Sequence, residues 1–336
     1  MKKYLLPQSG KFYKANLHTH TTISDGQMSP ETIKEKYMEL GYSIIAYTDH
    51  DVFIPHNDLT DENFLALNGY EMEILQPFEN GLPQQTSKTC HMCFIALDKD
   101  KTKQACWHRT GYLFANAVNY RDKVDFDKSL PDYEREYTGE RISDMMRIGR
   151  ENGFFVTYNH PTWSGETYED YMKYDNMHAV EIYNNECVLV GADEYNARVY
   201  DDMLRGGKKL YCVATDDVHA PVSVGGGYVM IKADKLEYKT ITDAMLNGDF
   251  YSSTGPEIKE LYIEDGVLHV KTSPAKIIAL STEHRRLDKV SGDYGTPVTE
   301  GAFKVFDYDG YIRITVIDEQ GNHANTNAYF VEDLLK

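Results

Sequence analysis

The sequence predicts an α/β domain of repeated β/α units over residues 1–254, followed by a small all-β sandwich over residues 255–336. Short apolar runs alternate with helical patterns from residue 15 to about residue 250, the signature of β/α units around a parallel sheet or barrel. Past Gly255-Pro256 the chain changes to short strand patterns separated by Asp-Gly and Gly-Asn turns. A length of 336 residues also exceeds the size at which one hydrophobic core usually stops growing, so two domains are expected.

Ala15 to Leu17 open the first unit and lead into a polar loop. Ser29 supplies an N-cap and Pro30 the first helical position, while Ile33, Tyr37 and Leu40 recur at helical spacing until Gly41 ends the helix. Tyr42 to Tyr47 read as the next strand. Later strands are expected at Phe64 to Leu67 with a continuation to Ile74, Met92 to Leu97, Phe154 to Tyr158, Ala179 to Ile182 and Leu210 to Val213. Helices are expected from Ile142 to Gly153 and from Tyr195 to Gly206. Residues 99–140 are polar, aromatic and irregular, and longer than an ordinary connection; they read either as a lid over the site or as a surface insertion. The tail strands are Glu260 to Ile263, Leu268 to Thr272, Lys276 to Leu280, Phe303 to Phe306, Tyr311 to Ile317 and Asn327 to Val331.

The 41% hydrophobic and 26% charged residues fit a soluble globular protein. No stretch approaches 18 consecutive apolar residues and the N-terminus has no secretory apolar segment, so the expected location is cytoplasmic, with no membrane partner. Lys plus Arg total 35 against 53 Asp plus Glu, a net charge of -18, which opposes binding to long nucleic acids. The five cysteines are odd in number and irregularly spaced, and do not suggest a disulfide framework. Cys90 and Cys93 flank His91 within a strand pattern that aims the two thiols at opposite faces, so they read as buried structural thiols.

His18-Thr19-His20 follows a short strand, and residues two apart on extended chain face one side, so both imidazoles can reach one metal ion. Alone, such a pair says little. Asp25 follows in Ser24-Asp25-Gly26, and the next strand ends in Thr48-Asp49-His50-Asp51. Two successive strands thus end in metal-competent residues, at the edge where β/α barrels place their active sites. Asp25 also reads as a turn residue, and Asp49 and Asp51 as loop caps. The third strand reads Leu67-Asn68-Gly69-Tyr70-Glu71, and a carboxylate there could bridge two metal ions. His91 begins the fourth strand region, His160 lies in Tyr158-Asn159-His160-Pro161, and Thr215-Asp216-Asp217-Val218-His219 follows the strand Leu210 to Val213.

Taken in order, LHTHTTISDG, YTDHD, NGYE, His91, NHP and TDDVH resemble the motifs of the PHP (polymerase and histidinol phosphatase) family of metal-dependent phosphoesterases, over roughly residues 10 to 253. The resemblance implies a distorted (β/α)7 barrel with a di- or trinuclear metal centre. It places one metal on His18, His20, Glu71 and Asp217, a second on Glu71, His91 and His160, and a third on Asp25, His50 and His219. Asp25 stands where some relatives use histidine, and Asp217 is chosen over Asp216 because D-x-H is the family spacing. His56, His108, His178, His269, His284 and His323 read as surface or structural residues, with His108 the strongest exception.

The chemistry so implied is hydrolysis of a phosphomonoester of a small metabolite or nucleotide, by a hydroxide shared between two metals that also neutralise the phosphoryl oxygens. Glu71, Asp217 and His219 are expected at the reacting centre. The cofactors are two or three divalent ions; manganese, iron and zinc all suit the donor set. Gly225-Gly226-Gly227 lacks a P-loop lysine and reads as a flexible segment near the site. Arg109, Arg141 and Arg198 are candidates to fork onto a second phosphate or carboxylate, and Trp163 to stack on a base or ring. For each arginine a solvated surface charge competes. Two other functions stay open: a metal-dependent amidohydrolase or deaminase, since such barrels host both chemistries, and a binding module with a vestigial barrel. The intact ligand set weighs against the second. The oligomeric state is not legible.

Overall fold

The computed structural model describes residues 2–78 and 82–334, so Met1 and residues 335–336, the outer ends of the two expected domains, lie outside the described residues. The first unit forms as local sequence dictates. Lys11–Asn16 is a strand, and Pro30–Glu39 is a helix whose cap Ser29 accepts the Thr32 N–H at 3.3 Å. Ile33 and Tyr37 bury the inner face, and Gly41 leaves the helix at φ +77°, a left-handed geometry that favours glycine. The strand Ile44–Tyr47 then pairs in parallel with Lys11–Asn16 on one side and with Leu65–Leu75 on the other.

The next strand breaks the expected parallel order. Thr89–Ala96 runs antiparallel to both Leu65–Leu75 and Phe154–Asn159. A reversed strand presents its first residues at the edge where its neighbours present their last. His91, near the start of its strand, therefore lies opposite Glu73 and Asn159 at that edge. Parallel pairing resumes from Phe154–Asn159 to Ala179–Asn184 and on to Tyr211–Thr215. Past the last of these strands, the Asp217 N–H donates to the His18 carbonyl and the His20 N–H to the Val218 carbonyl, each at 3.0 Å.

Apolar residues from all seven strands, among them Ala15, Ile44, Leu67, Ile95, Phe155, Ala179 and Val213, share one buried cluster. A second core lies under the helix Gly139–Glu151, which buries Ile142, Met145 and Met146. Each such side chain contributes about 1.5–3 kcal/mol on burial. Gly149 lets that helix approach closely: a Cβ there would stand 2.9 Å from the Phe94 ring.

The tail strands divide between two sheets. Tyr228–Ala233, Phe250–Ser253 and the helix Tyr238–Asn247, none of them expected, carry the main sheet from Lys11–Asn16 onward to His323–Thr326, Tyr311–Ile317, Ile277–Thr282 and Leu287–Val290. Ile258–Glu264, Val267–Ala275 and Val298–Lys304 instead form a four-stranded sheet with Lys2–Tyr4. Ile258, Leu261 and Val270 from the smaller sheet share a core with Ile278, Ile314 and Val316 of the larger. Among the described residues no helix is long and apolar enough to cross a membrane.

Candidate metal centre

The strand Lys11–Asn16 stops before His18, so His18 and His20 stand in the loop that follows it. Asp49 shapes that loop: its carboxylate accepts the Thr21 N–H and hydroxyl, each at 2.8 Å, the Ser24 N–H at 3.1 Å and the Ser24 hydroxyl at 2.7 Å. The cap reading of Asp49 thus describes its role. Asp216 has a comparable one, accepting the Tyr37 hydroxyl and the Gly225 and Gly227 N–H groups, each at 2.7 Å. The glycine run expected to be flexible is tied down by these bonds. A Cβ on Gly227 would lie 2.5 Å from the Thr215 carbonyl oxygen, so only glycine fits there. With Asp216 occupied, Asp217, at φ +53°, turns to the histidines.

All nine residues expected as ligands come together. Glu71 is their hub. Its Oε1 lies 3.1 Å from His18 Nε2, 3.3 Å from His91 Nδ1 and 3.4 Å from His160 Nε2. Its Oε2 lies 3.4 Å from His20 Nε2 and 3.2 Å from His50 Nδ1. Asp217 Oδ1 stands 3.2 Å from His18 Nε2 and 3.0 Å from His20 Nε2. On the outer side, Asp25 Oδ2 is 3.3 Å from His219 Nε2 and 3.7 Å from His50 Nε2.

Burial alone would raise the Glu71 carboxyl, but the His18, His91 and His50 rings hold it well below the usual carboxylate range. Asp217 is held down in the same way by His18 and His20, against its burial. Burial pushes His50 the other way, to about 3, with the neighbouring His20 adding to the effect. His20 Nδ1, His50 Nδ1, both ring nitrogens of His91 and Asp217 Oδ1 are buried without a hydrogen bond. Buried polar atoms are almost always paired. A cluster of unpaired imidazole nitrogens around carboxylates is the donor set of divalent-ion sites. Among the described residues five groups have ligand atoms within 4.8 Å of one another: His18, His20 and Asp217; His50, Glu71 and His91; His20, Asp25, His50 and His219; His18, Glu71 and Cys93; and His18, His160 and Glu181.

Two supporting residues escaped the sequence reading. Glu181, fully buried, takes His18 Nδ1 at 2.7 Å and the His160 N–H at 2.9 Å. A glutamate inside the apolar run AVEIYN is a signal that could have found it. Glu73, two residues past the hub on the same strand, faces His91 Nε2 at 3.5 Å. The two thiols diverge as expected: Cys90 joins the hydrophobic core, while Cys93 accepts the Asn159 amide at 3.1 Å beside the hub.

A cavity of about 1020 Å3 opens over the cluster, and Trp163 lines it. This tryptophan is 49% exposed and meets the His91 and His160 rings edge-on. Arg109, Arg141 and Arg198 are not among the lining residues; they pair with Asp132, Asp144 and Asp202. Arg135 lines the cavity instead. The segment 99–140 forms part of the wall through Tyr112, Leu113, Phe114 and Arg135. His108 stays outside the lining, with Nε2 3.4 Å from Glu134. His178 stacks on Phe155, and His323 on Tyr195.

No family model and no curated protein matches this chain. Among solved structures, a two-domain protein containing a predicted PHP-like metal-dependent phosphoesterase from Bacteroides vulgatus is similar to it at 16% identity. The match covers 98% of this chain and 97% of that one, with a TM-score of 0.45. The chain resembles the PHP-like phosphoesterases. An amidohydrolase from Chromobacterium violaceum is 13% identical over 70% of this chain and 96% of its own, with a TM-score of 0.40. A lesion-specific endonuclease from Pyrococcus furiosus is 11% identical over 70% of this chain and 56% of its own, also with a TM-score of 0.40.

Proposed function

We propose that this chain is a metal-dependent phosphoric monoester hydrolase acting on a small phosphorylated metabolite or nucleotide. One observation carries the reading: the Glu71 carboxylate stands within 3.4 Å of imidazoles from two proposed groups, His18 and His20 in one and His91 and His160 in the other. A carboxylate so placed suits a bridge between two ions. In this reading His18, His20, Glu71 and Asp217 hold one ion, Glu71, His91 and His160 a second, and Asp25, His50 and His219 a third. Divalent manganese, iron or zinc bound there supplies charge neutralisation for phosphoryl oxygens and lowers the pKa of water from about 15.7 towards 7.

The chain's own residues do the rest. Glu71, Asp217 and His219 stand beside the reacting atoms, and Trp163 presents a half-exposed ring to the leaving group. The cavity of about 1020 Å3 has room for more than a phosphate. The backbone bonds joining His18 to Asp217 support a (β/α)7 barrel within residues 1–254, closed from its first strand to its seventh. The core shared by the two tail sheets supports a sandwich over residues 255–336.

The test is an assay of the manganese-loaded protein against nitrophenyl phosphate and a panel of phosphorylated metabolites. Phosphate release is expected. Inactivity with filled metal sites refutes the proposal, and ammonia release from a nucleobase panel would point to a deaminase.

A further inference from the structure

The cavity lining carries five carboxylates, Asp25, Glu71, Glu73, Glu186 and Asp217, and among the described residues one cationic side chain, Arg135. This side chain is 6% exposed. One terminal nitrogen lies 2.6 Å from Asp51 Oδ1, the other donates to the Glu73 carbonyl at 2.6 Å, and the guanidinium sits 4.3 Å over the Tyr112 ring. Those two bonds use two of its five N–H donors. Its Nε is buried with no partner, and so is Oδ2 of Asp51, which is held at φ +60°.

Anchoring the 99–140 segment does not account for this arginine. The Gln104 amide already donates to the Asp51 carbonyl and its oxygen accepts the Phe53 N–H, both at 2.8 Å. Trp107, Ala117 and Val124 add a small apolar core with Ile23 and Val52. A buried guanidinium with donors to spare at the wall of a carboxylate-lined cavity has the chemistry to receive an oxyanion, whose geometry its planar fork matches.

We infer that Arg135 binds a tetrahedral oxyanion, the phosphoryl group of the substrate or the phosphate released from it, and that the 99–140 segment carries this residue to the metal centre. The assignment rests on the phosphoesterase reading. Asp51 holds the guanidinium in place without consuming its fork.

The test is calorimetric titration of inorganic phosphate into manganese-loaded protein, comparing wild type, Asp51→Asn, and Asp51→Asn combined with Arg135→Met. The double variant leaves no unpaired buried carboxylate behind, so the two variants differ in the guanidinium alone. Asp51→Asn, which keeps an acceptor oxygen for the guanidinium and removes a negative charge beside it, should bind phosphate at least as tightly as wild type, and the double variant about ten- to a hundredfold more weakly than Asp51→Asn. Equal affinity in the two variants would overturn the inference, as would Asp51→Asn binding as weakly as the double variant, or wild type binding no phosphate. Failure of the phosphoesterase reading would show separately, as phosphate binding without turnover of any ester.

Discussion

Glu181 Oε1 lies 2.7 Å from His18 Nδ1, and Glu181 Oε2 accepts the backbone N–H of His160 at 2.9 Å. The first contact favours a proton on His18 Nδ1 and turns Nε2 towards Glu71 and Asp217. The second holds His160 at φ +25°, a backbone position few residues adopt. The Thr215 hydroxyl and the Asn184 amide complete the carboxylate's partners at 2.8 and 2.9 Å, and the same amide reaches Asp217 Oδ2 at 3.1 Å. One buried carboxylate therefore orients groups on both sides of the hub.

Replacing Glu181 with Gln should lower metal affinity about ten- to a hundredfold, the usual effect of losing a carboxylate behind a histidine ligand. Competition with a chelator measures it. Wild-type affinity in the variant would show that Glu181 has no hold on the ligands.

Asp49→Ala should loosen the loop that carries His20 and Asp25, because four donors lose their acceptor at once. The expected loss is about 3 kcal/mol of stability in urea unfolding. The outer ion should also bind more weakly. A variant as stable as wild type would mean that the loop holds itself.

Glu166 gives a pH dependence with a definite sign. Burial pushes its carboxyl up to about 7, although the hydroxyls of Tyr158, Tyr174 and Tyr137 surround it at 2.5, 2.5 and 2.8 Å. A raised carboxyl pKa favours the protonated form in the folded state. Its contribution is complete below the unfolded value of about 4.3 and is lost as pH rises through about 7. Wild type should lose about 3 kcal/mol relative to Glu166→Gln between pH of about 4 and about 8. Parallel stability curves for the two proteins would contradict the shift.

Gly149→Ala would normally favour a helix by about 1 kcal/mol. Here the added methyl meets the Phe94 ring at 2.9 Å and Val156 Cγ2 at 3.0 Å. Overpacking should dominate and cost about 1–3 kcal/mol, read as a lower melting temperature.

Much of the cluster was legible because His18, His50, His160 and Asp217 follow apolar runs and His91 begins one, while Glu71 lies inside the strand Leu65–Leu75. The helix Pro30–Glu39 was legible for a local reason, its Ser29 cap and Pro30. The reversal of Thr89–Ala96 was not, because strand direction is set by partners far along the chain. The same cause hid the division of the tail, in which Lys2–Tyr4 and Ile258–Glu264 become neighbours across most of the sequence. Arg135 was hidden by its place in an irregular segment, where no periodicity says which of several arginines turns inward.

The bridging role of Glu71 is tested most directly by anomalous diffraction from crystals of manganese-loaded protein. Two ion peaks should flank the Glu71 carboxylate, one on the side of His18, His20 and Asp217 and the other towards His91 and His160. A single ion bound to one Glu71 oxygen, or ions that leave Glu71 without a metal bond, would contradict it.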